Sequence, residues 1–185
     1  IMNLIILGAG GLGRCCLDIA RKAYEDIVFL DDGLIGNTLN GCSVVGGIDE
    51  MEALFPKYQN IVIAISNNKL RMRLADMAKK IGYKLVNLIS DKAILSEYAV
   101  LGKEGCIFFP NVVIESNSSI GNSCIICANT VINYDAVIDD YCLINSSSVI
   151  RPTAKLSKYT HIGCNCLIGK ELKDKLFISD GEVVV

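Results

Sequence analysis

Residues 108–168 read FFPNVV IESNSS IGNSCI ICANTV INYDAV IDDYCL INSSSV IRPTAK LSKYTH IGCNCL I when broken into sixes. Every block opens on a large apolar residue: Phe108, Ile114, Ile120, Ile126, Ile132, Ile138, Ile144, Ile150, Leu156, Ile162 and Ile168. Four places on comes a small one: Val112, Ser118, Cys124, Thr130, Ala136, Cys142, Ser148, Ala154, Thr160 and Cys166. In a chain that is 51% hydrophobic, eleven hits in one register arise by chance with a frequency of about 0.0006. A helix turns ~100° per residue, so a period of six scatters these isoleucines around its axis. Extended chain has period two, and every sixth residue then faces one way. Short strands with a turn in each hexad, three hexads to a coil, put both columns inside a triangular spiral. This predicts a left-handed parallel β-helix, an exception to the right-handed crossover rule.

Outward from this stretch, Leu95 and Leu101 form an earlier coil joined by a one-residue slip, and Ile178 and Val184 resume the register after it breaks beyond Ile168. The first half follows a different rule, with strands at Asn3–Leu7, 27–30, 61–65 and 84–88. Helical patterns over 12–24, 48–55 and 67–81 separate them; Asn67 or Asn68 is placed to cap the last and Gly82 to end it. Strands alternating with helices imply a parallel sheet with crossovers. The expected fold is therefore an α/β Rossmann-like domain, residues 2–88, followed by the β-helix, residues 89–185.

Gly8-Ala9-Gly10-Gly11-Leu12-Gly13 stands between the first strand and the first helix. Gly8 permits a tight turn, Gly10 lets backbone approach a ligand, and Gly13 lets helix pack close on strand. Backbone N–H groups at such a helix start favour a phosphate. Asp31 and Asp32 end the second strand, where a carboxylate can accept from a ribose or base. The pattern points to nucleotide binding; the structural alternative is a strand–helix turn with two capping aspartates.

Lys and Arg number 18 against 20 Asp and Glu, a net charge of −2, which leaves no electrostatic footprint for nucleic acid. No apolar run approaches the ~20 residues of a bilayer span and no signal-like segment opens the chain, so a soluble cytoplasmic protein starting at Met2, behind an extraneous Ile1, is expected. The nine cysteines are an odd number and read as free thiols filling space. Cys124-x-x-Cys127 and Cys164-x-Cys166 each divide between different columns of the coil, so no metal site is expected.

The glycine loop, the strand end Phe29-Leu30-Asp31-Asp32, the segment Ile65-Ser66-Asn67-Asn68-Lys69-Leu70-Arg71 and the hexads follow in that order. Together they resemble the bacterial nucleotide-sugar N/O-acyltransferases of the NeuD/PglD type in the hexapeptide-repeat superfamily. The resemblance implies transfer of an acetyl group from acetyl-CoA to a nucleotide-linked or sialic-acid-type sugar. It implies a homotrimer built through the β-helix. It assigns Gly8, Gly10, Gly11, Gly13, Asp31, Asp32, Asn67, Asn68 and Arg71 to the nucleotide site, the plainer reading of the last three being a helix cap and a solvated arginine. The coenzyme groove falls at Arg151, Gly163 and Gly169.

The family's general base is a histidine followed by an acid, and here those positions are Tyr134 and Asp135. Other histidines of the family fall at Leu12 and Leu143, Arg151-Pro152 replaces small residues beside the coenzyme, and Val185 precedes the tail that carries further coenzyme contacts. Acyl transfer needs a proton removed as the nucleophile attacks, and a base titrating near neutrality does this best. A phenol with a reference pKa near 10 is only about one part in 1,000 ionised at pH 7. The sole histidine, His161, lies one coil above Leu143 in the same outward column and is the remaining candidate. Two main readings follow, an acetyltransferase whose base is weakened or unusual and a non-catalytic nucleotide-sugar-binding homologue. An NAD-dependent oxidoreductase is a third, and it lacks a catalytic domain.

Overall fold

A computed structural model of the chain describes residues 2–173 and 176–185, so Ile1 lies outside the described residues. The chain divides into two compact units, Ile1–Leu88 and Ile89–Val185. The first contains β1 (Asn3–Leu7), α1 (Gly11–Ala20), β2 (Asp26–Leu30), β3 (Thr38–Leu39), β4 (Cys42–Gly46), α2 (Met51–Leu54), β5 (Asn60–Ile63), α3 (Asn68–Ile81) and β6 (Lys84–Leu85). Their order in the sheet is β3-β4-β2-β1-β5-β6, parallel throughout except for β3 against β4. Leu4, Ile5, Ile6 and Leu7 are all buried, the unbroken apolar run that a parallel sheet covered on both faces requires.

Several boundaries differ from the sequence expectation, among them β5, which ends at Ile63 rather than Ile65. Helix α1 stops at Ala20 rather than Tyr24, because Arg21-Lys22-Ala23 is exposed and closes in a turn with no apolar face to bury. The segment 48–55 is a 3₁₀ turn at Ile48–Glu50 running into the short α2. Strand β6 covers only Lys84–Leu85, while Leu88–Ile89 opens the first sheet of the β-helix. The hairpin β3–β4 was not anticipated. Its loop is Asn40-Gly41, with φ of 49° and 74°, the pair of positive angles that a type I′ turn needs and Asn-Gly supplies.

The second unit is the three-sided parallel spiral. One sheet stacks Leu88–Ile89, Ile107–Phe108, Ile125–Ile126, Leu143–Ile144, His161–Ile162 and Phe177–Ile178. A second stacks Ile94–Leu95, Val113–Ile114, Val131–Ile132, Val149–Ile150, Leu167–Ile168 and Val183–Val184. The third stacks Ser119–Ile120, Val137–Ile138 and Lys155–Leu156, extended by bridges from Ser119 to Val100 and from Leu156 to Leu172. The first residue of each hexad from Phe108 to Ile168 is at most 3% exposed. Full burial of such a side chain contributes roughly 1.5–3 kcal/mol.

Several of the small inward residues also meet a carbonyl of the next coil. Thr130 Oγ1 donates to Asn145 at 3.1 Å and Ser148 Oγ to Gly163 at 2.7 Å. The thiols of Cys124, Cys142 and Cys166 likewise donate to Asp139, Ser157 and Ser179. A cysteine is thus small, apolar and a weak donor in one side chain. Burial pushes the Cys124 thiol well above its usual pKa, as suits a core group.

The coil's slips are local. Val113 pairs with Ile94, nineteen residues back, whereas Ile125 pairs with Ile107, eighteen back, so the extra residue falls between Val100 and Ile107. At the far end Phe177 pairs with His161 only sixteen residues back, and Leu172 takes the inward place that the broken register left open. Each hexad turns its corner through a left-handed residue: Asn111, Asn117, Ser123, Asn129, Asp135, Tyr141, Ser147, Thr153, Tyr159 and Asn165 all have φ between 54° and 67°. Asparagine and aspartate tolerate this conformation best.

Candidate functional site

In the first unit the three loops that leave β1, β2 and β5 open at the carboxyl edge of the parallel sheet, the place where open α/β sheets take ligands. Gly8 has φ of 100°, and a Cβ there would sit 2.8 Å from the Ala64 carbonyl oxygen. A Cβ on Gly13 would lie 1.9 Å from the Gly8 carbonyl oxygen, so helix α1 approaches the turn as closely as backbone allows. Gly10 and Gly11 differ: nothing lies within 4 Å of a Cβ built on either. Gly10 caps α1 without a side chain, and the first turn holds no acidic residue to compete with an incoming anion.

The carboxylates behind this loop are engaged. Asp31 accepts the Ala9 N–H at 2.8 Å with one oxygen and the Gly33 N–H at 3.0 Å with the other, tying the glycine loop to the end of β2. Asp32 accepts the Ile48 N–H at 2.7 Å. Asn67 caps α3 by accepting the Leu70 N–H at 2.9 Å. Arg71 is not a solvated arginine. It is fully buried, and its guanidinium donates to the Ile65 carbonyl at 2.7 Å, to the Ser66 carbonyl at 3.4 Å and to Asn68 Oδ1 at 2.9 Å. It therefore shapes the loop after β5 from beneath.

In the second unit Tyr134 is 52% exposed at a corner after the second sheet, beside a groove of about 510 Å³. Ile94, Leu95, Val113 and Ile114 give that groove apolar walls, and Ser96, Glu115 and Ser116 bring polar groups to it. Glu115 Oε2 accepts the Tyr134 N–H at 3.0 Å, and the hydroxyls of Ser96 and Ser116 lie 3.1 Å apart. Asp135 is the left-handed corner residue, φ 58°, and its N–H donates to the Ser116 carbonyl at 3.2 Å. Sequence reasoning missed Glu115. Its position directly after the inward Ile114, one coil below Tyr134, was the available signal.

His161 lies on a different sheet, paired with Leu143 below and Phe177 above. Its Nε2 is 2.9 Å from Asn145 Nδ2, and its ring meets Phe177 edge-on at 5.2 Å. Arg151 and Gly169 come together on successive coils, where a Cβ on Gly169 would be 3.1 Å from Arg151 Cδ. Gly163 is demanded by packing, since a Cβ there would press to 2.6 Å on the Asp180 nitrogen. Among the described residues no group of His, Cys, Asp and Glu is placed to hold a metal ion. Among the described residues no helix is long and apolar enough to cross a membrane.

Residues 3–78 match the PglD N-terminal domain family. Over its full length the chain superimposes on a mutant perosamine N-acetyltransferase from Caulobacter crescentus in complex with CoA and GDP-perosamine. The TM-score is 0.90 at 25% identity, with 100% of this chain and 89% of that one covered. The acetyltransferase domain of PglB from Neisseria gonorrhoeae in complex with acetyl coenzyme A shares the fold, with a TM-score of 0.81 at 24% identity over 98% of this chain and 94% of that one. WeeI from Acinetobacter baumannii also shares it, with a TM-score of 0.73 at 23% identity over 100% and 97%.

Proposed function

We propose that this chain, a PglD N-terminal domain joined to a hexapeptide-repeat β-helix, is an acetyl-CoA-dependent acetyltransferase that acts on a nucleotide-linked sugar. The observation that carries the reading is the full-length superposition on a sugar N-acetyltransferase solved with CoA and a nucleotide sugar. The open backbone at Gly10 and Gly11 suits a pyrophosphate at the start of α1, and Gly8 and Gly13 hold the turn that exposes it. Asp31, Asp32, Asn67, Asn68 and Arg71 fix the three surrounding loops, so their share in nucleotide binding is largely one of shaping.

In the β-helix unit, the apolar groove beside Tyr134 fits an acetyl thioester, and Arg151, Gly163 and Gly169 lie on the coils assigned to the coenzyme. Tyr134 and Asp135 form the reacting corner, with His161 the other named candidate. Assembly is a homotrimer through the β-helix, supported by an outward apolar column on its second sheet. We place the protein in the cytoplasm, where nine free cysteines stay reduced. Calorimetric titration with acetyl-CoA and with UDP- and GDP-linked amino sugars, beside an assay of CoA thiol release, tests the reading. Binding of both ligands with thiol release supports it, and no binding of either refutes it.

The second reading, a non-catalytic nucleotide-sugar-binding homologue, is favoured by Tyr134 at the corner where the family places its base. Saturable sugar-nucleotide binding with no thiol release from any acceptor decides for it.

A further inference from the structure

We infer that Glu115 is the general base of this chain, acting in the groove whose histidine position is filled by Tyr134. The inference rests on the acetyltransferase reading above. Glu115 and Tyr134 line one groove, and the carboxylate is anchored by its Oε2 to the Tyr134 N–H at 3.0 Å. Among the described residues its other oxygen has no hydrogen-bond partner, and no lysine or arginine forms an ion pair with it. A half-buried carboxylate held in place by one oxygen, with the other left to the groove it lines, has the geometry of a proton acceptor.

The other candidates at this corner are poorer. The Tyr134 side chain is half exposed at the corner, and it is its backbone N–H that Glu115 holds. Asp135 serves the corner's left-handed turn, and His161 stands on another sheet with Nε2 engaged by Asn145.

In the step, the sugar's amino nitrogen attacks the carbonyl carbon of the acetyl thioester. The C–N bond forms, the C–S bond breaks, and the proton shed by nitrogen passes to the free oxygen of Glu115. The carboxylic acid then returns that proton to the departing thiolate. The products are the amide and free thiol, and Glu115 ends as it began. A carboxylate is a weaker base than imidazole, but nitrogen becomes far more acidic once it has bonded to the carbonyl carbon.

The test uses the full chain with acetyl-CoA and the amino-sugar nucleotide that supports thiol release. Glu115→Gln keeps an oxygen for the Tyr134 N–H, so a purely structural role would survive it. The expected result is a fall in kcat of about 10²–10⁴, with acetyl-CoA affinity by calorimetry and the melting temperature unchanged. Adding Tyr134→His to Glu115→Gln restores turnover by supplying a second base. Turnover of Glu115→Gln within about threefold of the native chain overturns the inference, and so does an equal loss of acetyl-CoA binding. A native chain that is silent while Tyr134→His turns over overturns Glu115 alone and leaves the acetyltransferase reading standing. Silence of both overturns both.

Discussion

Asn145 Nδ2 lies 2.9 Å from His161 Nε2, and the other bonds of that amide assign the direction of the contact. The amide cannot be turned round without loss. The same nitrogen donates to the Ile162 carbonyl at 3.0 Å, while Asn145 Oδ1 accepts from the Cys127 thiol. The amide's bonding therefore assigns Nε2 as the acceptor of this contact, which puts the ring hydrogen on Nδ1.

The chain has one histidine, so its imidazole signals need no assignment. A long-range ¹H–¹⁵N correlation spectrum at pH 7.5 is expected to show the Nδ1–H tautomer. Asn145→Ala should release the ring to the usual tautomer mixture. A predominant Nε2–H signal in the native chain contradicts the assignment. If Nε2 is occupied in this way, His161→Gln should alter turnover by less than about threefold.

The glycine loop separates two roles that one motif usually blurs. At Gly13 a methyl group would overlap the Gly8 carbonyl at 1.9 Å, and that neighbour is backbone. Gly13→Ala is expected to destabilise the first unit by about 3 kcal/mol, seen as an earlier urea midpoint. Gly11→Ala meets nothing within 4 Å and has no positive φ to strain, so stability should move by no more than about 0.5 kcal/mol. Its methyl group would instead stand where a phosphate approaches, and nucleotide-sugar affinity should fall about tenfold or more. Equal stability losses for the two variants would contradict this division.

The β-helix was legible because its core obeys a strict period, so an inward position repeats whatever loops surround it. Its slips were legible in part. The extra residue before Ile107 showed as a seven-residue step from Leu101 to Phe108, whereas Leu172 was missed because the deletion moved it off register. Asn111, Asn117, Asn129 and Asn165 mark the left-handed corners at a fixed hexad position, a column visible in the sequence beside the isoleucines. The loop at Asn40-Gly41 was equally readable as a hairpin.

The site was less legible, for a physical reason. Arg71 and Asp31 carry ligand-binding chemistry in their side chains, but the backbone groups around them consume it. Glu115 lies nineteen residues before Tyr134 in a coil, and only the stacking of coils brings them together.

Alkaline pH should loosen the first unit through Tyr83. Its hydroxyl donates to the Met51 carbonyl at 2.7 Å and its ring meets Phe55 edge-on at 5.1 Å, and burial pushes its pKa from the usual 10 to about 12. The folded-state value is raised, so the contribution to stability is complete below pH 10. It is lost as the pH climbs towards 12. Tyr83→Phe should be about 1 kcal/mol less stable at pH 8, from the unpartnered carbonyl. Its stability should then decline less steeply above pH 10, narrowing the gap to the native chain. Parallel denaturation curves from pH 9 to 11.5 would remove Tyr83 from the account.

The outward face of the second sheet bears Ile94, Val113, Val131, Val149, Leu167 and Val183 in a single column with no polar residue. Its two ends are 65% and 64% exposed. A single exposed valine is ordinary, but a continuous apolar column along six strands needs a cover. A neighbouring copy in a closed trimer supplies one, because each chain then offers the same ridge to the next. Sedimentation equilibrium should give three times the 20.0 kDa chain mass. Val149→Arg should shift it to the single-chain mass, since an unpaired charge cannot be buried in an apolar seam. Val137→Arg, on the third sheet, should leave the assembly intact. Ile94 and Val113 also wall the groove beside Tyr134, so dissociation by Val149→Arg should abolish acetyl transfer while leaving nucleotide-sugar binding in place. A native chain that sediments as a monomer, or a Val149→Arg variant that remains trimeric, would show that this column is not the seam.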